Sequence, residues 1–246
     1  MDLTTVGVHV HRWGIGNRRR ALLVHGVAAN GAGWWRVAEG LARHGFDVSA
    51  PDLRGHGSSP GATTFTFDAF ALDLRELGDA WDVVVGHSLG GPIVCTLLGL
   101  GVTAARVVLV DPVLDIADAD FDEVAQAQVA GADPFADPRE LAAAYPTWHP
   151  LDAHHKAAAV RAVSSWTVER AMYDNAPWHH VGLASTLTMP TVLLGSDPVV
   201  STMFPEDLAR SIAAGLPDAR FAVVPGTGHA IHREAPDAIV SAAVGP

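Results

Sequence analysis

The residues best suited to chemistry in this 246-residue chain are one serine, one aspartate and one histidine, each following a short apolar run. Ser88 lies in Gly86-His87-Ser88-Leu89-Gly90-Gly91, between Val83-Val84-Val85 and Pro92-Ile93-Val94-Cys95-Thr96-Leu97-Leu98. The valines have the β-branching of a buried strand, and the later stretch reads as a helix with proline in its first turn. A strand that turns into a helix so abruptly leaves no room for side chains two positions either side of the serine, which explains glycine at 86 and 90. The turn exposes the Ser88 hydroxyl at the head of a helix and aims the Leu89 N–H at any oxyanion formed there. Serine is a poor nucleophile until a histidine takes its proton, and that imidazole needs a buried carboxylate to fix its tautomer and stabilise its charge. His229 follows Phe221-Ala222-Val223-Val224 and Asp197 follows Thr191-Val192-Leu193-Leu194, so all three side chains are assigned to loops at strand carboxyl ends.

The elements that must position these loops alternate. Val6 to Trp13 alternates apolar and polar as an edge strand does, and Gly14-Ile15-Gly16-Asn17 turns it toward Ala21-Leu22-Leu23-Val24, an expected antiparallel hairpin. His25-Gly26-Val27 and the Gly/Ala-rich run to Gly33 suit a backbone that approaches a ligand, and the Val27 N–H is a second candidate oxyanion donor. Helices are expected over Trp34 to Gly45, 66 to 80, Pro205 to Ala214 and Pro236 to Val244. Further strands are expected at 46–52 and 106–112. Strands alternating with helices imply a doubly wound, mostly parallel α/β sheet. The loop at 53–60 is glycine-rich but lacks the Gly-Lys-Ser/Thr ending of a phosphate-binding turn. From Val113 to Thr188 the strand signal disappears, and helical stretches alternate with Pro134, Pro138, Pro146, Pro150 and Pro177. Residues 1–112 and 189–246 therefore read as the core, and 113–188 as an inserted helical cap. Trp148, Trp178 and Tyr145 of that cap are the candidate substrate-binding residues, with an apolar pocket beneath.

Composition narrows the function. A hydrophobic fraction of 49%, a single cysteine and a formal charge of −11 describe a globular chain without an internal disulfide. Nucleic acid and anionic membranes are disfavoured as partners. No segment has the length of a membrane span or the pattern of a signal peptide, so a cytoplasmic monomer or homodimer is the expectation. Lys156 is the single lysine; with abundant alanine it reads as genome composition and carries no functional signal. His149, His154, His155, His179 and His180 have no carboxylate at ligand spacing, so no metal is expected there.

Four stretches together resemble the α/β-hydrolase fold superfamily: His25-Gly26 with its Gly-rich continuation, Asp52-Leu53-Arg54-Gly55-His56-Gly57-Ser58, the segment around Ser88, and Gly228-His229-Ala230-Ile231-His232-Arg233-Glu234-Ala235-Pro236. The resemblance implies an eight-stranded-type sheet, the chain order Ser, Asp, His, and the roles of nucleophile for Ser88, base for His229 and oxyanion donors for Val27 and Leu89. It also implies a structural part for Asp52, Arg54 and Gly57, scaffold roles for His25 and His87, and a hydrogen-bonding helix role for His232. Many relatives have one more residue between glycine and aspartate than Gly195-Ser196-Asp197. Asp197 is nonetheless assigned as the acid, with Asp111 the alternative. The expected activity is that of a cofactor-independent serine carboxylesterase acting on a small or medium apolar ester. Lactonase, thioesterase, amidase and carbon–carbon hydrolase share the triad, and a ligand-binding receptor is the non-enzyme alternative. Serine at position 88 argues against relatives that use aspartate there.

Overall fold

Runs of buried aliphatic residues form the central strands of the computed structural model, which describes residues 4–201 and 203–245. Seven strands make the main sheet: β1 (Val10–Trp13), β2 (Arg19–Val24), β3 (Phe46–Pro51), β5 (Val83–His87), β7 (Val107–Val110), β8 (Thr191–Gly195) and β9 (Ala219–Val223), while β4 (Ala80–Trp81) and β6 (Thr103–Ala104) form a separate short pair. The main order is β1-β3-β2-β5-β7-β8-β9, parallel except for β1 against β3.

Two expectations are corrected here. The antiparallel hairpin does not form, because β2 lies between β3 and β5 and has no free edge, so β1 crosses to the outer side of β3, pairing Val10 with Pro51. The described residues give seven strands in the main sheet rather than eight. Before Val10 the chain's donors go to side chains, Val6 N–H to Asp73 and His9 N–H to Ser59, instead of to a strand.

The pleat divides the core. Leu22, Val24, Val84, Val107, Leu109 and Leu193 face one layer, which contains α2 (Phe67–Arg75), α3 (Gly90–Gly99) and α9 (Glu206–Gly215). Ala21, Leu23, Val83, Val85, Val108, Val110 and Val192 face the other, made by α1 (Trp35–Arg43) and α11 (Pro236–Val244). Alternate side chains on opposite faces are what period-two geometry requires, and each fully buried Leu or Val contributes about 1.5–3 kcal/mol. The strand ends are thereby held by a stiff frame.

Five helices, α4 (Asp118–Ala130), α5 (Pro138–Ala144), α6 (Pro150–Ala162), α7 (Ser165–Tyr173) and α8 (Val181–Ala184), lie between β7 and β8 in sequence. Prolines start two of them: Asp137 and His149 cap α5 and α6 just before Pro138 and Pro150, and Ser164 caps α7. The insertion is tied down by buried polar contacts. Asn175 accepts from the Phe67 N–H at 2.8 Å and donates to the Phe65 carbonyl at 2.9 Å, while Trp178 Nε1 donates to the Val113 carbonyl at 2.9 Å. α10 (Ile231–Glu234) follows His229 and leads into α11. No helix among the described residues is long and apolar enough to cross a membrane.

Candidate active site

Ser88 occupies the turn between β5 and α3 with φ of 54°, in the left-handed region that residues with a side chain rarely enter. Its N–H donates to the Val110 carbonyl at 3.1 Å and its carbonyl accepts from Gly91 at 2.9 Å, so neighbouring backbone holds it there. A Cβ at Gly86 would run into the Gly90 carbonyl oxygen, and one at Gly90 into the Val24 carbonyl oxygen. Among the described residues, three non-glycine residues have positive φ: Ala28, Ser88 and Asp111. They follow β2, β5 and β7, three strands whose ends lie side by side. Strain collected at one end of the sheet marks a site held in a conformation that packing must enforce.

The structure brings His229 to Asp111 and not to Asp197. His229 Nδ1 donates to Asp111 Oδ2 at 2.6 Å, and the Asp111 side chain is fully buried. Asp111 Oδ1 also accepts from the Ser196 N–H at 3.0 Å and the Ser196 hydroxyl at 3.1 Å. Asp197 instead accepts from the Val199 N–H at 3.0 Å and the Gly226 N–H at 2.8 Å, bonds that hold its carboxyl below the usual carboxylate range. The assignment of Asp197 as the histidine's partner is therefore corrected. With one residue fewer after Gly195, Ser196 is the residue that meets Asp111, and Asp197 is held in the turn by the Val199 and Gly226 N–H groups.

With its Nδ1–H donated to Asp111, the His229 ring in its neutral form leaves Nε2 unprotonated and free to accept a proton. His229 and Ser88 line a common cavity together with Val27 and Leu89. Among the described residues, the N–H groups of Val27 and Leu89 have no acceptor, so both remain free to donate. The cavity has an empty volume of about 310 Å³, and its remaining wall is mostly apolar: Val113, Ile116, Val124, Met172, Trp178 and Met203, with Gln128 the polar exception. Ser88 and His229 also open onto a wider vestibule of about 1290 Å³. Of the three aromatic residues singled out from sequence, Trp178 lines the inner cavity, whereas Tyr145 and Trp148 line the vestibule. Tyr145 and Trp148 stack with centroids 4.2 Å apart, and Trp148 Nε1 donates to Glu234 at 3.1 Å.

The other motif residues are braced as scaffold. His25 Nδ1 donates to the Gly26 carbonyl at 2.7 Å while its Nε2 accepts the Leu53 N–H at 2.9 Å, an arrangement open only to the neutral ring. Burial, reinforced by His56, takes its pKa down to about 3. His87 Nε2 donates to the His229 carbonyl at 2.8 Å, joining the serine loop to the histidine loop. Burial and the neighbouring His229 hold His87 well below its ordinary value. His232 departs from its expected role: buried Nδ1 has no hydrogen-bond partner, and the ring packs against Trp34 and His87 instead. Arg54 pairs with Asp73 through Nε at 2.7 Å and Nη2 at 2.8 Å, both side chains being buried. Asp52 accepts from the Gly31 and Ser58 N–H groups, and Gly57, with φ of 53°, leaves it room. His179 pairs with Asp115 and Asp118. His9, His11 and Asp52 lie close enough to share a cation, yet Asp52 already accepts three hydrogen bonds, one of them from His11.

Two residues at the vestibule gave no signal of function in the sequence. Lys156, the single lysine, comes from α6 and donates to the Ala28 carbonyl at 3.1 Å. Arg233 lies beneath Trp148, 4.8 Å from the ring centroid, and its Nε has no partner. One lysine among fifteen arginines was the available cue, but nothing local said where α6 would put it.

A mostly parallel sheet with helices on both faces, bearing a strained serine at a strand-to-helix turn and a histidine–carboxylate pair, defines a hydrolase of the α/β type. The alpha/beta hydrolase family model matches residues 21–242, and the chain belongs to that family. It is 28% identical over 245 residues to esterase YbfF of Escherichia coli, covering 92% of each chain. It is 37% identical over 154 residues to lipase LipV of Mycobacterium tuberculosis, a match spanning 60% of this chain and 58% of that one. Among solved structures, N-formylmaleamic acid deformylase from Pseudomonas putida superposes with a TM-score of 0.77 at 23% identity, covering 96% of this chain and 95% of that one. The thioesterase domain of the curacin biosynthetic pathway gives 0.76 at 19% identity, with 97% and 95% covered. At these identities the two structures speak for the fold alone.

Proposed function

We propose that this chain is a serine carboxylesterase for substrates with a short or medium apolar acyl group, with residues 113–188 acting as a cap over the site. The observation that carries the reading is the 2.6 Å pairing of His229 with buried Asp111 beside a serine held at φ of 54° in the same cavity. Ser88 Oγ attacks the ester carbonyl as His229 Nε2 takes its proton; Asp111 holds the tautomer and stabilises the imidazolium. The N–H groups of Val27 and Leu89 receive the tetrahedral oxyanion, and one such donor is worth about 10²–10³ in rate. The imidazolium then protonates the departing alkoxide, leaving an acyl-Ser88 that water cleaves by the same sequence in reverse. The apolar inner cavity supports an aliphatic acyl group of limited length. The esterase and lipase among the relatives agree with this reading.

Hydrolysis of p-nitrophenyl esters from acetate to palmitate tests it. Activity should peak at short or medium acyl chains and fall by about 10³–10⁶ in Ser88→Ala. Folded protein with no turnover at any chain length would sink the proposal.

A further inference from the structure

The vestibule outside the apolar cavity carries charge that the esterase mechanism leaves unused. Lys156 and Arg233 both line it, and neither has a carboxylate within salt-bridge distance among the described residues. Lys156 makes one hydrogen bond, to a backbone carbonyl, although an ammonium can make three. Arg233 is 5% exposed, with Nε unpartnered and its guanidinium against the face of Trp148. The acidic groups nearby, Glu234 and Asp152, act on Arg233 through space but make their direct contacts to other residues. Glu234 accepts from Trp148 Nε1 and from the Gly228 N–H, while Asp152 is buried beneath Trp35 Nε1 at 2.8 Å and Arg36 at 3.6 Å. His87 and His232, also on the vestibule wall, are held neutral by burial. Lys156 and Arg233 therefore share the field of Glu234 and Asp152 without a direct ion pair to either, in a protein whose formal net charge is −11.

Burying cations without a counter-ion is costly unless an anion arrives to pair with them. Here burial and the neighbouring Arg233 bring the Lys156 ammonium down to about 7, the response of a charge that lacks a partner. We propose that Lys156 and Arg233 form a binding site for an anionic group, a carboxylate, on the leaving-group half of the substrate. The division of the two spaces sets this polarity. The inner cavity is apolar, which suits the acyl half, while Val27, Ser88 and His229 line both spaces. The vestibule contains Gly228, His229 and Ala230, the side from which the imidazolium delivers its proton to the leaving oxygen. Trp148 is held between Tyr145, stacked 4.2 Å away, and the Arg233 guanidinium, 4.8 Å from its centroid, so the aromatic pair fixes where that cation sits. The substrate class is thus an apolar acyl ester of a hydroxy acid. This inference rests on the esterase reading for its direction, but binding can be measured without turnover.

The test uses a matched pair, 4-(butanoyloxy)benzoate and the neutral 4-(butanoyloxy)benzamide, titrated by calorimetry at pH 6 into Ser88→Ala protein, which cannot consume them. The carboxylate should bind about tenfold more tightly than the amide, the margin of a charge-assisted contact over a neutral one. Adding Lys156→Met should remove that preference, whereas Lys156→Arg should keep it. Equal affinity for the two esters, failure of both to bind, or a preference that survives Lys156→Met would overturn the proposal. Since the ratio on the Lys156 background is itself decisive, misfolding of the methionine variant does not rescue the idea. In wild-type protein the same pair should show the preference in kcat/KM. If binding discriminates as expected but neither ester nor any p-nitrophenyl ester is hydrolysed, the anion site stands and the esterase reading fails.

Discussion

Asp111 and Asp197 follow adjacent parallel strands, β7 and β8, which run in register from Val107 opposite Thr191 to Val110 opposite Leu194. From those neighbouring positions their fates diverge. Asp111, at φ of 42°, is fully buried and receives His229 and Ser196. Asp197 is partly exposed and folds back to cap its own loop and the turn at Gly226. One is a buried carboxylate paired with the histidine, and the other is a partly exposed turn residue. The lesson is that identical residue types after adjacent strands differ in role through the local backbone: a positive φ directly after β7 puts Asp111 against His229 and Ser196, whereas Asp197, in the loop after Gly195, closes a turn.

The contrast can be broken most severely at Asp111. Asp111→Asn should lower kcat by about 10⁴, because the imidazole loses the partner that fixes its tautomer, while Asp197→Asn should leave kcat within a small factor of wild type. Steady-state kinetics on a good aryl ester decides it; equal losses, or the greater loss at Asp197, would reverse the assignment. Relocating the acid sharpens the comparison. In the Asp111→Asn background, Ser196→Asp places a carboxylate at the position after β8 that meets residue 111, and part of the lost kcat should return. Asp197 is already present in that background, so recovery would come from the place of residue 196 beside Asp111 and not from the mere presence of an acid after β8.

Smaller effects follow at the supporting contacts. Ser196→Ala removes the hydroxyl bond to Asp111 but keeps the backbone one, and kcat should drop by about tenfold or less, the value of one hydrogen bond to a charged group. A change only in KM would show that the bond does not act through the histidine. Asp197→Ala should leave kcat intact and lower the thermal midpoint slightly, since two loop N–H groups then turn to water. A collapse of activity with an unchanged midpoint would contradict the capping role.

What the sequence determined by itself is local. The serine turn was legible because a sharp strand-to-helix reversal demands glycine at fixed spacing, and Gly86, Ser88 and Gly90 satisfy that demand whatever surrounds them. The histidine after β9, the alternation of strands and helices, and the helical character of 113–188 were legible for the same reason: short-range periodicity and proline placement carry them. The family followed from those pieces in order. The tertiary structure alone decided the rest. That β1 joins β3 depends on both edges of β2 being occupied, by β3 and by β5, which a reading of neighbouring residues cannot register. That His229 reaches across β8 to Asp111, and that Lys156 of α6 comes to rest against the Ala28 carbonyl, are contacts separated by 118 and 128 residues. Contacts at such separations are fixed by how the sheet is ordered and how the inserted helices pack on it. No residue's immediate neighbours encode either.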